Sequence, residues 1–83
     1  MQNINLSYDK QCDILYARLP FNGHSYGKEA NGIITYHHMI DGSVTGIAIY
    51  SFGKRFNAGD LNLELLPVPL DSIVSKIKKL LLA

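Results

Sequence analysis

The chain has 83 residues, of which 47% are hydrophobic, and sets 8 basic side chains against 7 acidic ones for a net charge of +1. That length holds a single domain over residues 1–83. The apolar share excludes a disordered chain, and the near balance of charge excludes the broad basic footprint that nucleic-acid binding requires.

Ile4, Leu6 and Tyr8 alternate with Asn5 and Ser7, the period-two pattern of a half-buried strand. Asp9 to Asp13 is polar and can turn, with the Asp13 carboxylate available to accept backbone N–H groups. A second strand over Ile14 to Leu19 places Leu15, Ala17 and Leu19 on one face and Ile14, Tyr16 and Arg18 on the other. Pro20 ends it, because proline cannot donate to a ladder. Phe21 to Asn31 contains Asn22-Gly23 and Gly27 and runs into Asn31-Gly32. It reads as the longest irregular stretch, a mobile loop, with a tight turn at Asn22-Gly23 as the alternative.

Ile33 to Ile40, Asp41-Gly42 and Ser43 to Phe52 give the clearest hairpin signal. A two-residue Asp-Gly turn sets Tyr36 opposite Ile47 and Ile34 opposite Ile49, an apolar cross-strand patch. A bulged three-residue loop would move that pairing by one. Gly53 to Asp60 reads as a loop, and Leu61, Leu63 and Leu65 as a short fifth strand. Pro67 and Pro69 exclude a central strand or helix interior there. Asp71 or Ser72 can cap a helix starting near Ile73. On it Ile73, Val74, Ile77, Leu80 and Leu81 share a face, away from Lys76, Lys78 and Lys79. The expected fold is α+β, a small antiparallel β-meander of four to five strands with one C-terminal helix. That helix covers its own sheet or docks on a neighbouring subunit.

Ordering the chain costs on the order of 120 kcal/mol at about 1.5 per residue. Apolar burial in so small a domain offsets this narrowly, so a homodimer or higher homo-oligomer is expected. Ile73, Ile77, Leu80 and Leu81 are the candidate interface residues, because the segment is richer in leucine and isoleucine than one helix on a small sheet needs. Cys12 is the only cysteine, so no intramolecular disulfide calls for an oxidising compartment. Met1 leads into Gln2 and Asn3 without a charged segment and apolar run, and no stretch approaches the roughly 20 apolar residues of a membrane span. A cytoplasmic location without membrane association is expected.

No catalytic set, metal site or cofactor motif emerges. His37 and His38 are adjacent in a strand and point to opposite faces, so they cannot share a metal within one chain. Asp9 and Asp13 flank a turn, where aspartate is a common structural choice. Cys12 lacks a local motif and an orienting third group for nucleophilic chemistry. Tyr16 and Arg18 share a strand face and can bind an anion. With His24 swinging in from the loop as part of a lid, these three are the candidate ligand-binding residues.

Asp9, Asp13, Leu15, Tyr16, Arg18 and Leu19, followed by Asp41-Gly42 and Gly46-Ile47, give residues 8–55 a resemblance to a family of small, mostly bacterial proteins known as domain of unknown function 2283. The family pattern is an acidic-x-x-x-Asp-x-Leu-Tyr strand followed by an Asp-Gly hairpin that ends in Gly-Ile-Glu-Ile. Here Tyr36, His37 and His38 stand where family members carry acidic residues before the turn, and Ala48 stands for the glutamate. The resemblance implies a small β-rich fold without an established activity, and a small toxin-like protein as a possible partner of an antitoxin-like chain.

The expected function is a non-catalytic protein–protein interaction module. The alternative is a small ligand-binding protein or enzyme that uses the 21–31 region. Nucleic-acid binding through Arg18, Lys54, Arg55 and the helix lysines is the weakest reading, because these charges are few and scattered.

Overall fold

Turns and one bulge decide which side chains of this chain reach its core. The computed structural model describes residues 3–82. Its strands are β1 Asn5–Asp9, β2 Ile14–Arg18, β3 Ser25–Ala30, β4 Ile33–His38 and β5 Val44–Tyr50. Helix α1 Phe52–Ala58 and helix α2 Val74–Leu82 follow, with single 3₁₀ turns at Leu63–Leu65 and Asp71–Ile73. The strands form one antiparallel sheet in the order β1-β2-β5-β4-β3. Two ribbons, β1–β2 and β3–β4–β5, are thus joined edge to edge by β2 and β5. The fold is α+β with a C-terminal helix, as the sequence pattern predicts.

The stretch read as a mobile loop is half strand. Ser25–Ala30 pairs along the whole of β4 through a two-residue turn at Asn31-Gly32. Both turn residues have positive φ, 54° and 78°, the conformation that makes Asn-Gly a strong hairpin signal. Only residues 19–24 cross irregularly from β2 to the far edge of the sheet.

The second hairpin has a different register from the two-residue Asp-Gly turn. Residues 39–42 form a four-residue loop in which Gly42 N–H donates to His38 O (2.9 Å) and His38 N–H to Ser43 O (2.8 Å). Ser43 N–H and its hydroxyl both donate to Asp41 Oδ1. That loop alone would set Tyr36 opposite Thr45, but one extra residue on β5 at Thr45 moves the pairing by one, so Tyr36 lies opposite Gly46 and Ile34 opposite Ala48, while Ile33 meets Ile49 and Thr35 meets Ile47. In a strand, a slip of one residue exchanges faces. The expected Tyr36–Ile47 and Ile34–Ile49 patch is not formed, and those isoleucines lie on the opposite side of the sheet from Tyr36 and Ile34.

Leu15 and Ala17 of β2 and Ile47 and Ile49 of β5 meet Phe52 of α1, Val68 and Leu70, and Ile77 of α2 in a fully buried cluster. Burying each large side chain contributes about 2 kcal/mol. Residues 53–60, read as a loop, are mostly helix. Phe52 and Phe56, one turn apart, stack with ring centroids 5.5 Å apart. The helix ends where Asp60 N–H donates to Arg55 O and Gly59 N–H to Phe56 O, the paired bonds of a Schellman motif.

Leu63–Leu65, read as a strand, is a 3₁₀ turn whose Leu63 O accepts the Leu70 N–H. Leu61, Leu63 and Leu66 pack on the core, whereas Leu65 is exposed. Asp71 and Ser72 do not cap α2. They lie inside the 3₁₀ turn that leads into it.

Candidate functional site

The two faces of the sheet differ in what covers them. Both helices pack on the face of Leu15 and Ile47. The other face carries Tyr16 beside Ala48 and Ile34 in one row, with Arg18, Gly46 and Tyr36 in the next and Ile14 beside Tyr50 at the far end. Among the described residues this face is overhung at one end only, by residues 19–24. That strap is fastened by Leu19 N–H to Thr45 O (2.8 Å) and by Met39 N–H to His24 O (2.9 Å). It is also held by His38, whose Nε2 lies 2.6 Å from Asn22 O. The Ile40 N–H donates to His38 Nδ1 at 3.1 Å, so Nε2 carries the proton and donates to Asn22 O. Asp41, 3.9 Å from Nδ1, is engaged by the Ser43 N–H and hydroxyl, which hold its carboxyl below the usual range.

Under the strap lies a cleft of about 260 Å³ lined by Tyr16, Arg18, Phe21, Ser25, Tyr36 and Gly46, together with the buried Thr45 and Ile47. Two features open it. At Gly46 a Cβ would sit 2.8 Å from Ala17 O, so only glycine fits between β2 and β4, and no side chain fills the gap between Arg18 and Tyr36. One residue earlier the ladder is irregular. Tyr36 pairs with Gly46 but His37 with Val44, which leaves Thr45 as an extra residue, the mark of a β-bulge. The Thr45 carbonyl turns to Leu19 instead. Its Oγ1 is buried with no hydrogen-bond partner among the described residues. Burial, then the nearby Asp9, Tyr36 and Tyr50, push the Tyr16 phenol up, so at neutral pH it is a neutral donor and acceptor.

The structure brings two of the three predicted ligand residues together. Tyr16 and Arg18 line the cleft, whereas His24 is exposed, stands outside it and contributes its carbonyl to the strap. The lid reading of residues 21–31 shrinks to the strap. Phe21 and Ser25 fall within the 21–31 region read as a lid, whereas Tyr36, Thr45 and Gly46 were not anticipated. Gly46 alone left a signal, a glycine inside a strand pattern that marks close backbone approach.

The four predicted interface residues lie on the helix side. Ile77 is wholly buried in the chain's own core, and Ile73, Leu80 and Leu81 pack against that core. Of the two uses expected for α2, the structure shows the first: its apolar stripe covers the chain's own sheet, with Ile73, Leu80 and Leu81 left half-buried.

His37 and His38 do face apart. His37 stacks on Tyr26 with centroids 5.5 Å apart and donates from Nδ1 to Gly42 O at 3.0 Å. Among the described residues no three His, Cys, Asp or Glu side chains gather closely enough to share a metal ion.

The carboxylates are structural. Asp9 Oδ1, rather than Asp13, closes the first turn by accepting the Gln11 and Cys12 N–H groups at 3.1 and 3.2 Å. Asp13, with φ 56°, receives the Tyr8 hydroxyl at 2.5 Å and the Gly53 N–H at 2.7 Å, and so holds the start of α1 from 40 residues away. The charge of Asp9 raises the Cys12 thiol, the opposite of an activated nucleophile. Arg18 lies on the other side of the sheet from the helices that carry Lys54, Arg55, Lys76, Lys78 and Lys79. No helix is long and apolar enough to cross a membrane among the described residues.

No family model matches this chain, and neither curated proteins nor solved structures give a match.

Proposed function

We propose that the chain is a non-catalytic interaction module whose docking surface is the open face of the sheet, and that its partner there is a second copy of itself. The observation that carries this reading is the face's composition. Ile14, Tyr16, Ile34 and Tyr36, each half-buried, and Tyr50, 41% exposed, lie together around the buried Ala48 with no covering helix among the described residues.

Two further observations favour a second copy. The middle of the face has no charged side chain, and Arg18, Asp9 and Glu29 stand at its margins, so two such faces meet without like charges at the centre. The chain exposes 5576 Å² at a mass of 9.2 kDa, about 650 Å² more than a monomer of that mass is expected to expose. A standard interface takes about 800 Å² from each partner.

Sedimentation equilibrium on the wild type and on Tyr50→Lys tests this. The wild type should have twice the chain mass, and the variant should be a folded monomer. A wild type that stays monomeric, or a variant that stays dimeric, contradicts the reading.

A further inference from the structure

The cleft under the strap goes beyond an association surface. We propose that it binds a small aromatic carboxylate, with the ring held among Tyr16, Phe21 and Tyr36 and the carboxylate on the Arg18 guanidinium.

Size limits the ligand. A dry cavity of about 150 Å³ accepts benzene, and drug-sized ligands occupy about 300 Å³ or more. At about 260 Å³ the cleft suits one or two fused rings with a short polar group.

Charge sets the group. Arg18 is exposed and takes part in no ion pair among the described residues. Its guanidinium lies 5.8 Å from the Phe21 ring centroid, a cation–π contact that leaves its forked N–H donors free for a carboxylate. Arg55, by contrast, is tied to Asn31 O at 3.2 Å. Arg18 is the only charged residue lining the cleft, so the site matches the single charge of a carboxylate better than the double charge of a phosphate. Shape agrees. Gly46 and the bulge at Thr45 remove side-chain bulk between Arg18 and Tyr36, and aromatic rings flank that gap. Ser25 offers a hydroxyl beside it.

The test is titration of the full ¹⁵N-labelled chain with benzoate and indole-3-carboxylate, followed by amide shifts. Saturable shifts at Arg18, Ser25, Tyr36 and Gly46 are expected. Benzamide, similar in shape but uncharged, should bind at least about tenfold more weakly. Arg18→Gln, at an exposed position that should not disturb the fold, should abolish the preference for benzoate, and Arg18→Lys should keep part of it. Tyr16 and Tyr36 border both the cleft and the association surface, whereas Tyr50 belongs to the association surface alone, about 13 Å along the strand from residue 46, so Tyr50→Lys tests the cleft without altering its lining. Its monomer should still bind.

Absence of saturable shifts up to about 10 mM, equal binding of benzamide, or unchanged benzoate binding by Arg18→Gln overturns the proposal. Loss of binding in the Tyr50→Lys monomer overturns it as a site of the single chain. Tighter binding of a peptide ending in phenylalanine, lost on C-terminal amidation, overturns it in favour of peptide recognition.

Discussion

Asp13 concentrates more of this fold in one side chain than its place in a turn suggests. Its carboxylate receives the Tyr8 hydroxyl and the Gly53 N–H, and its own carbonyl accepts the Phe52 N–H. The Tyr8 hydrogen bond, ahead of those from Gly53 and Lys54, holds the Asp13 carboxyl below its usual range. The same bond pushes Tyr8 up to about 12. These are one interaction seen from both ends, and the linkage signs follow. A lowered Asp13 stabilises the fold above the ordinary carboxylate value, and that stability is lost as pH falls through the lowered one. A raised Tyr8 stabilises it below 10.0, the unperturbed value, and that stability is lost as pH rises toward about 12. Asp13→Ala should cost about 2 kcal/mol at neutral pH and flatten both limbs of the stability–pH curve measured by urea unfolding. Asp13→Asn, which tolerates the left-handed backbone, should cost less. Equal stability of wild type and Asp13→Ala across pH would refute the role. Thr45 is the converse case. Its buried hydroxyl has no partner among the described residues, so Thr45→Val should stabilise the chain by about 1 kcal/mol and raise Tm by about 5 °C. A drop in Tm would show that the hydroxyl is satisfied.

At the scale of elements, α2 serves its own sheet. Ile77 is fully buried while Leu82 is 87% exposed. Ile77→Ala should cost about 3 kcal/mol, while Leu82→Ala should be neutral within about 0.5 kcal/mol. Equal small effects in urea unfolding would return the helix to the role of a docking arm. Its apolar stripe was legible from spacing alone, but whether the stripe met its own sheet or a neighbour's was not, because both uses need the same residues. The first two strands and the sides of Leu15 and Tyr16 were legible because alternation there is clean. β3 was not. SYGKEA has glycine, two charges and no β-branched residue, and pairing with β4 overrides that weak propensity. α1 was hidden because its segment is polar and carries Gly53 and Gly59, while the bonds that secure its start come from Asp13, far away in sequence. The register around residues 36–46 was the costliest miss. The Asp-Gly signal fixed a turn without fixing its length, and the bulge at Thr45, one extra residue on β5, decided which face received Tyr36. Of the cleft, only Tyr16 and Arg18 could be read locally. Phe21 and Ser25 reach it through the strap, which joins strands that are consecutive in sequence but not adjacent in the sheet.

The described residues form two layers, the sheet and the helices on one of its faces, and the open face has room for a third. Helices and the Val68–Leu70 segment cover one face of the sheet, and the other presents tyrosine and isoleucine to its surroundings. A small domain has little apolar area to spare, and a second sheet packed about 10 Å above the first would supply that third layer. In the proposed dimer the strap would sit at the rim of the joined faces, with Arg18 at the margin and Tyr16 and Tyr36 bordering both the cleft and the association surface. The most direct measurement is an isotope-filtered NOE spectrum of a dimer mixed from labelled and unlabelled chains. Cross-peaks between chains from the Tyr16, Tyr36 and Tyr50 rings to the Ile14 and Ile34 methyl groups are the predicted result. Cross-peaks confined to Ile73, Leu80, Leu81 and Leu82, or none at all, would contradict it.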